Sequence, residues 1–153
     1  MFNPISKIAI AAAAVLGSVS IASAASAAPG GSYIITNNAS VKVDNTADSF
    51  SSSSYIKKFA SDISPRSTST NNYAYQRTDG NVFVGTTIWQ NKDSKFGCSF
   101  TTVITYSSYT GKYTFSFSSA KQGGAASTAT CSITASRDVY SGSFTAYPVI
   151  GGF

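Results

Sequence analysis

The residues with the clearest chemistry are two cysteines, Cys98 and Cys131, each in a run that alternates apolar and hydroxyl side chains. A catalytic thiol normally needs a histidine base, and a structural zinc site needs four ligands, but the sequence contains no histidine. In an oxidising compartment, two cysteines pair without ambiguity. We therefore predict a Cys98–Cys131 disulfide, which should stabilise the fold by about 3–4 kcal/mol.

This bond would also constrain the topology of the strands that carry it. A disulfide tolerates a Cα separation of at most about 7 Å, whereas the first and third strands of a flat sheet lie about 9–10 Å apart. The two cysteine strands must therefore pair directly or face each other across a sandwich or a curled sheet. A flat three-stranded meander is excluded if the bond forms.

Acid–base chemistry has few candidates in this chain. There is no glutamate, and most of the six aspartates fall in polar turns and loops, where the side chain commonly bonds the local backbone. Asp44, Asn45 and Asp48 could offer oxygen ligands to calcium, but their spacing matches no full loop motif. We predict no catalytic residue, no metal site and no cofactor, and keep a paired-carboxylate hydrolase as the enzymatic alternative.

Aromatic residues supply the candidates for ligand binding. Tyr73, Tyr75 and Arg77 lie at i, i+2 and i+4 of an expected strand, so two rings and a guanidinium could meet a sugar or another polar ligand. The alternative is that this face packs inward. Trp89 shares its face with Phe83 and belongs either to a pocket or to the core. These candidates suggest a glycan or an anionic cell-surface component as the partner, and we expect no nucleic acid.

The first residues predict export. Lys7 precedes an apolar run, which is followed by small residues with two A-x-A sites, a pattern typical of a secretory signal peptide. We expect a signal peptide over residues 1–27, with cleavage after Ala27 or Ala24, and a single β-rich domain over 28–153. This domain would carry a net charge of +4 and no later transmembrane run, and would be secreted, periplasmic or at the cell surface.

Composition and periodicity predict the fold class. Good helix formers are scarce after the leader, whereas Ser, Thr, Tyr, Phe, Val and Ile are abundant. About eight alternating runs predict an antiparallel β-sandwich or a small curled barrel. One segment differs, because Ile56, Phe59, Ala60 and Ile63 follow helical spacing, and we expect one short helix there.

Turn signals suggest how neighbouring strands connect. The pair Asp79-Gly80 stands between YAYQR and VFVGTTIWQ and predicts a hairpin, and the run Arg66–Asn72 reads as a polar connector before it. Either YAYQR or the C-terminal TAYPVIGGF could form an edge strand that pairs with another chain.

These observations favour an exported, non-catalytic binding or adhesion protein. The first alternative is a small barrel that carries an apolar or amphipathic ligand, with Trp89 and Phe83 in its lining. A further alternative is a subunit of a surface fibre or matrix. A packed interior would favour the binding protein, and a hollow interior would favour the carrier.

Overall fold

The computed structural model describes residues 30–50, 59–74 and 82–153. The predicted signal peptide lies outside these residues. Within them, no helix is long and apolar enough to cross a membrane. The described residues form nine strands: β1 Gly30–Asn37, β2 Val43–Phe50, β3 Asp62–Ile63, β4 Ser67–Ala74, β5 Val82–Gln90, β6 Gly97–Ser107, β7 Lys112–Gln122, β8 Thr130–Arg137 and β9 Phe144–Gly151.

The strands build two sheets that pack face to face. One sheet has four strands in the order β4-β1-β9-β8, and the other has five in the order β3-β2-β5-β6-β7. Strand β1 runs parallel to β9, and the other pairs are antiparallel. Alternate side chains of the two inner faces form one core, whose largest fully buried members include Trp89, Tyr33 and Phe100. The predicted all-β class is confirmed, and of the two predicted architectures, sandwich or curled barrel, the structure is the sandwich.

The predicted disulfide joins the two sheets. Cys98 in β6 and Cys131 in β8 are bonded, with their Cα atoms 5.7 Å apart. Because β6 and β8 belong to different sheets, the bond crosses the sandwich as the distance argument required. A buried hydrogen bond of 2.6 Å between the hydroxyls of Tyr33 and Thr102 crosses the same interior.

The expected short helix is wrong where the structure describes that segment. Asp62 and Ile63 form strand β3, which pairs with β2, and Phe59 lies in irregular chain before it. The helical spacing of apolar residues arises because Phe59 packs edge-on against Tyr33 while Ile63 enters the core. The earlier part of the predicted helix, including Ile56, lies outside the described residues.

The expected hairpin is also wrong where the structure describes it, because Tyr73 and Ala74 belong to one sheet and the strand that begins at Val82 belongs to the other. Strand β4 pairs with β1 along its whole length, and β5 pairs with β2 and β6. The run Arg66–Asn72, predicted to be a polar connector, supplies most of β4. Asp79 and Gly80 lie outside the described residues. A local turn signal cannot reveal that a longer pairing with a distant strand is preferred.

The C-terminal segment is not an edge strand. It forms β9, which lies between β1 and β8 in the middle of its sheet. Its Pro148 is buried, and the β1–β9 pairing is interrupted beside it, where proline has no N–H to donate. Strand β4, which contains Tyr73, is an edge of this sheet, whereas Tyr75 and Arg77 lie outside the described residues.

Candidate functional site

The two ends of the sandwich differ in the side chains that they expose. We call one end the tyrosine end: it comprises the β6–β7 turn at 108–111, the β8–β9 turn at 138–143, and the first residues of β5. The opposite end, which we call the lysine end, comprises the loops at 38–42, 64–66 and 91–96.

Exposed large hydrophobic side chains concentrate at the tyrosine end. Of the five such residues in the described part of the chain, four belong to it: Tyr109 is 98% exposed, Tyr140 69%, Val82 48%, and Val84 is the least exposed. Large exposed apolar groups that cluster in this way mark interaction surfaces, whereas single ones need no explanation. We therefore take the tyrosine end as the candidate functional site.

The β6–β7 turn presents Tyr109 on a closed loop. The Gly111 amide donates to the Ser107 carbonyl at 2.8 Å, and the Thr110 amide donates to the Ser107 hydroxyl at 3.3 Å. Gly111 has a φ of 65°, a left-handed conformation that glycine adopts without steric cost. These bonds hold the backbone of the turn, so the Tyr109 ring projects from a defined position.

The β8–β9 turn presents Tyr140 in a similar way. The Asp138 amide donates to the Ser143 carbonyl at 2.8 Å, and the Asp138 carboxylate accepts the amides of Tyr140 at 2.9 Å and Ser141 at 3.4 Å. The hydrogen bond from the Tyr140 amide, followed by those from the Ser141 side chain and amide, holds the pKa of Asp138 below its usual value. The charged carboxylate thus stabilises the turn.

Contacts between the first residues of β7, which follow the β6–β7 turn, and the β8–β9 turn connect the two parts of this end. The Tyr113 amide donates to the Val139 carbonyl at 2.7 Å, and the Lys112 ammonium group lies 5.2 Å from the centre of the Tyr140 ring. Such a distance permits a cation–π attraction. The Arg137 guanidinium reaches the Phe115 carbonyl at 3.5 Å. Lys112 therefore lies against the Tyr140 ring, and Arg137 is held close to the same turn.

Two shallow grooves flank Arg137. The larger has a volume of about 300 Å³ and is lined by Ser136, Arg137, Asp138, Ser143, Phe144 and Thr145. The smaller, of about 210 Å³, is lined by Tyr113, Thr114, Phe115, Arg137 and Val139. Both are open to solvent, so they suit a small polar group that approaches from outside.

The predicted ligand-binding residues lie elsewhere or outside the described chain. Trp89 is fully buried between the sheets, its ring edge-on to Phe59, and its indole N–H has no acceptor among the described residues. Tyr73 lies in β4, opposite Gly31 of β1. The structure does not describe Tyr75 or Arg77, so a site made of these residues stays a prediction.

The sequence analysis missed Tyr109 and Tyr140, although a signal for them existed. Both occupy the middle of short runs of Ser, Thr, Gly and Asp between strands, SSYTG and RDVYSGS. A large ring at the tip of a tight turn between two strands cannot reach the core, because turns run over the surface. An aromatic residue at such a position predicts exposure.

The lysine end contains charges but no metal-binding cluster in the part of the chain that the structure describes. Lys42 and Lys92 each place their ammonium group 3.4 Å from the same Asp44 carboxylate oxygen. Further along β2, away from this end, the Asp48 carboxylate accepts hydrogen bonds from Asn45 at 3.0 and 3.1 Å. The acidic side chains considered as calcium ligands are therefore engaged by neighbouring donors.

Comparison with known proteins supports the fold and leaves the family open. No protein-family model and no curated protein matches this sequence. Two crystal structures are similar to this chain: those of the lipid-binding protein Nakanori and of the RahU protein in complex with a TRIS molecule. Both have a TM-score of 0.54, with 6% identity for Nakanori and 9% for RahU. The similarity to Nakanori covers 81% of this chain and 71% of that one, and for RahU the shares are 82% and 96%.

Proposed function

We propose that this protein is an exported, non-catalytic protein that binds the surface of lipid membranes through its tyrosine end. The observation that carries the proposal is the concentration of exposed Tyr109, Tyr140, Val82 and Val84 at one end of the sandwich. Tyrosine is favoured at membrane interfaces because its ring enters the apolar boundary while its hydroxyl stays in water.

The charges beside the two rings suit this role. Lys112 lies against the Tyr140 ring and Arg137 lies just before the β8–β9 turn, and among the described residues beside them Asp138 supplies the one carboxylate. Each cation near an anionic membrane surface contributes about 1 kcal/mol of attraction. We therefore expect binding to neutral vesicles and moderately stronger binding to anionic ones.

The fold and the disulfide are consistent with the proposal. Nakanori, which has a similar fold, is itself a lipid-binding protein. The Cys98–Cys131 bond fits an oxidising compartment outside the cytoplasm, where such a protein would meet a cell surface. The core between the sheets is occupied by large side chains such as Trp89 and Phe100, which favours surface binding over the carrier alternative.

Cosedimentation with vesicles tests the proposal. Vesicles of phosphatidylcholine alone and vesicles that also contain phosphatidylserine would be mixed with the purified wild type and with Tyr109→Ala and Tyr140→Ala. Burying about 60 Å² of apolar ring surface contributes ~1.5 kcal/mol, so each substitution should weaken binding about tenfold. Tyr147→Thr, on the outer face of β9, is the matched control and should bind as the wild type does.

A further variant separates the charge contribution from the ring contribution. Lys112→Gln should reduce the preference for phosphatidylserine several-fold while binding to phosphatidylcholine changes less. The proposal fails if the wild type binds neither composition, or if the Tyr109→Ala/Tyr140→Ala double variant binds as the wild type does.

A further inference from the structure

The outer face of the four-stranded sheet is a second surface with an ordered pattern. Its side chains alternate along each strand with those that enter the core. Its two middle strands, β1 and β9, carry the apolar residues Ile34, Tyr147 and Val149. Tyr147 is 39% exposed. Of the five exposed large hydrophobic side chains in the described residues, it is the one that lies away from the tyrosine end.

Hydroxyl groups flank this apolar strip on both sides. On β8, Thr134 stands opposite Tyr147, and Ser132 stands opposite Val149. On the other side, the hydroxyl of Thr68 in β4 lies 3.2 Å from that of Thr36 in β1. The rows that contain Tyr147 and Val149 therefore combine an apolar side chain in the middle of the sheet with hydroxyl groups towards the edges.

The face carries no charge at any outward position whose side chain the structure describes. In typical soluble domains, about 25% of residues are charged. A charged ligand would find no partner here, whereas a neutral ligand would lose no ion hydration on contact. Serine and threonine both donate and accept hydrogen bonds, so they match a ligand that is itself rich in hydroxyl groups.

We propose that this face binds neutral polysaccharide chains. The Tyr147 ring would stack on the C–H face of a sugar ring, and the flanking Ser and Thr hydroxyls would bond the sugar hydroxyls. Strand β9 has eight residues and spans roughly 25 Å, which is long enough for several consecutive sugar rings. Because the face is open to solvent, each sugar contact is weak, and binding depends on repeated units of a polymer.

This surface is separate from the one that carries the proposed membrane binding. Tyr147 lies in the middle of β9 on the outward face of the four-stranded sheet, whereas the tyrosine end consists of Tyr109 and Tyr140 on turns and of Val82 and Val84 at the start of β5 in the other sheet. Substitutions on the two surfaces therefore test the two proposals independently.

Depletion from solution by insoluble polysaccharides tests the inference. The purified protein would be incubated with cellulose, with chitin and with amylose resin, and with heparin–agarose as the anionic comparison. We expect depletion by at least one of the neutral polymers, and a bound fraction reduced about 5- to 10-fold for Tyr147→Thr. Threonine keeps the β-strand preference of the position, and far-ultraviolet circular dichroism would verify the fold.

Two further variants make the test specific. Tyr147→Phe retains the ring and should keep most of the binding, whereas the Tyr109→Ala/Tyr140→Ala double variant should bind polysaccharide as the wild type does. The inference is overturned if none of the neutral polymers depletes the protein, if only heparin does, or if a folded Tyr147→Thr variant binds unchanged. Loss of vesicle binding by the double variant alone would leave this inference intact.

Discussion

The loops of the lysine end are tied to one another, whereas each turn of the tyrosine end is closed mainly by its own hydrogen bonds. At the lysine end, the Asn91 side chain donates to the Lys42 carbonyl, and Lys42 and Lys92 share the Asp44 carboxylate. At the tyrosine end, Ser107 accepts bonds from its own turn and Asp138 does the same. Hydrogen bonds between loops stabilise the lysine end. Turns that are closed by their own hydrogen bonds, as at the tyrosine end, can keep their side chains exposed.

Asn37 shows how closely the lysine end is joined. Its buried side-chain amide donates to the carbonyls of Val41, Ile63 and Ser64 at 2.9 to 3.1 Å, and its side-chain oxygen accepts the Ala39 amide. One side chain thereby satisfies backbone groups of two loops, its own at 39–41 and the one at 63–64.

The disulfide lies at the same end, because each cysteine is the second residue of a strand that begins there.

The largest expected effect is on the free energy of unfolding, and it tests whether the lysine end stabilises the fold while the tyrosine end binds vesicles. Replacing both Cys98 and Cys131 by alanine should lower the free energy of unfolding by about 3–4 kcal/mol, because the unfolded chain is no longer constrained. Urea denaturation would measure this loss. Vesicle binding at a temperature where the variant remains folded should be unchanged, since the tyrosine end lies at the opposite end of the strands. Unchanged unfolding, or lost binding by a folded variant, would contradict the comparison.

A smaller effect is expected from Asn37→Ala. Several backbone groups would be left without partners in a buried place, which should cost about 2–3 kcal/mol of unfolding free energy. Thermal denaturation followed by circular dichroism would measure it. Asn38→Ala, at the exposed neighbouring position, is the control and should unfold nearly as the wild type does. Equal stability of the two variants would show that Asn37 does not hold these loops.

The smallest effect is expected from acid titration of the tyrosine end. The pKa of Asp138 is lower in the folded protein than in the unfolded chain, so its ionised form contributes stability above the unfolded pKa of about 3.9. This contribution is lost as the pH falls through the folded pKa. The stability difference between wild type and Asp138→Asn should therefore be present at neutral pH and vanish in acid. A difference that is independent of pH would show that the charge of Asp138 has no part in the turn.

The sequence predicted which side chains of a strand point towards the core, because the alternation of side chains along a strand has a local physical cause. Successive side chains of a strand point to opposite faces, so the inward positions of Cys98 and Phe100 follow from spacing alone. The partner of each strand does not, because it depends on which distant segment offers the better register. For this reason the parallel pairing of β1 with β9 and the separation of β4 from β5 were not predicted.

The sequence by itself determined the β-rich class, the alternation of faces and the pairing of two cysteines, because each depends on residue type and short-range spacing. Only the tertiary structure decided that Tyr109 and Tyr140 share one end and that Tyr147 lies on an uncharged sheet face. Tyr109 and Tyr140 are 31 positions apart in the chain, and their turns meet because β7 and β8 lie beside each other at the margins of opposite sheets. Such a surface is a property of how the sheets pack, which no short segment of the chain contains.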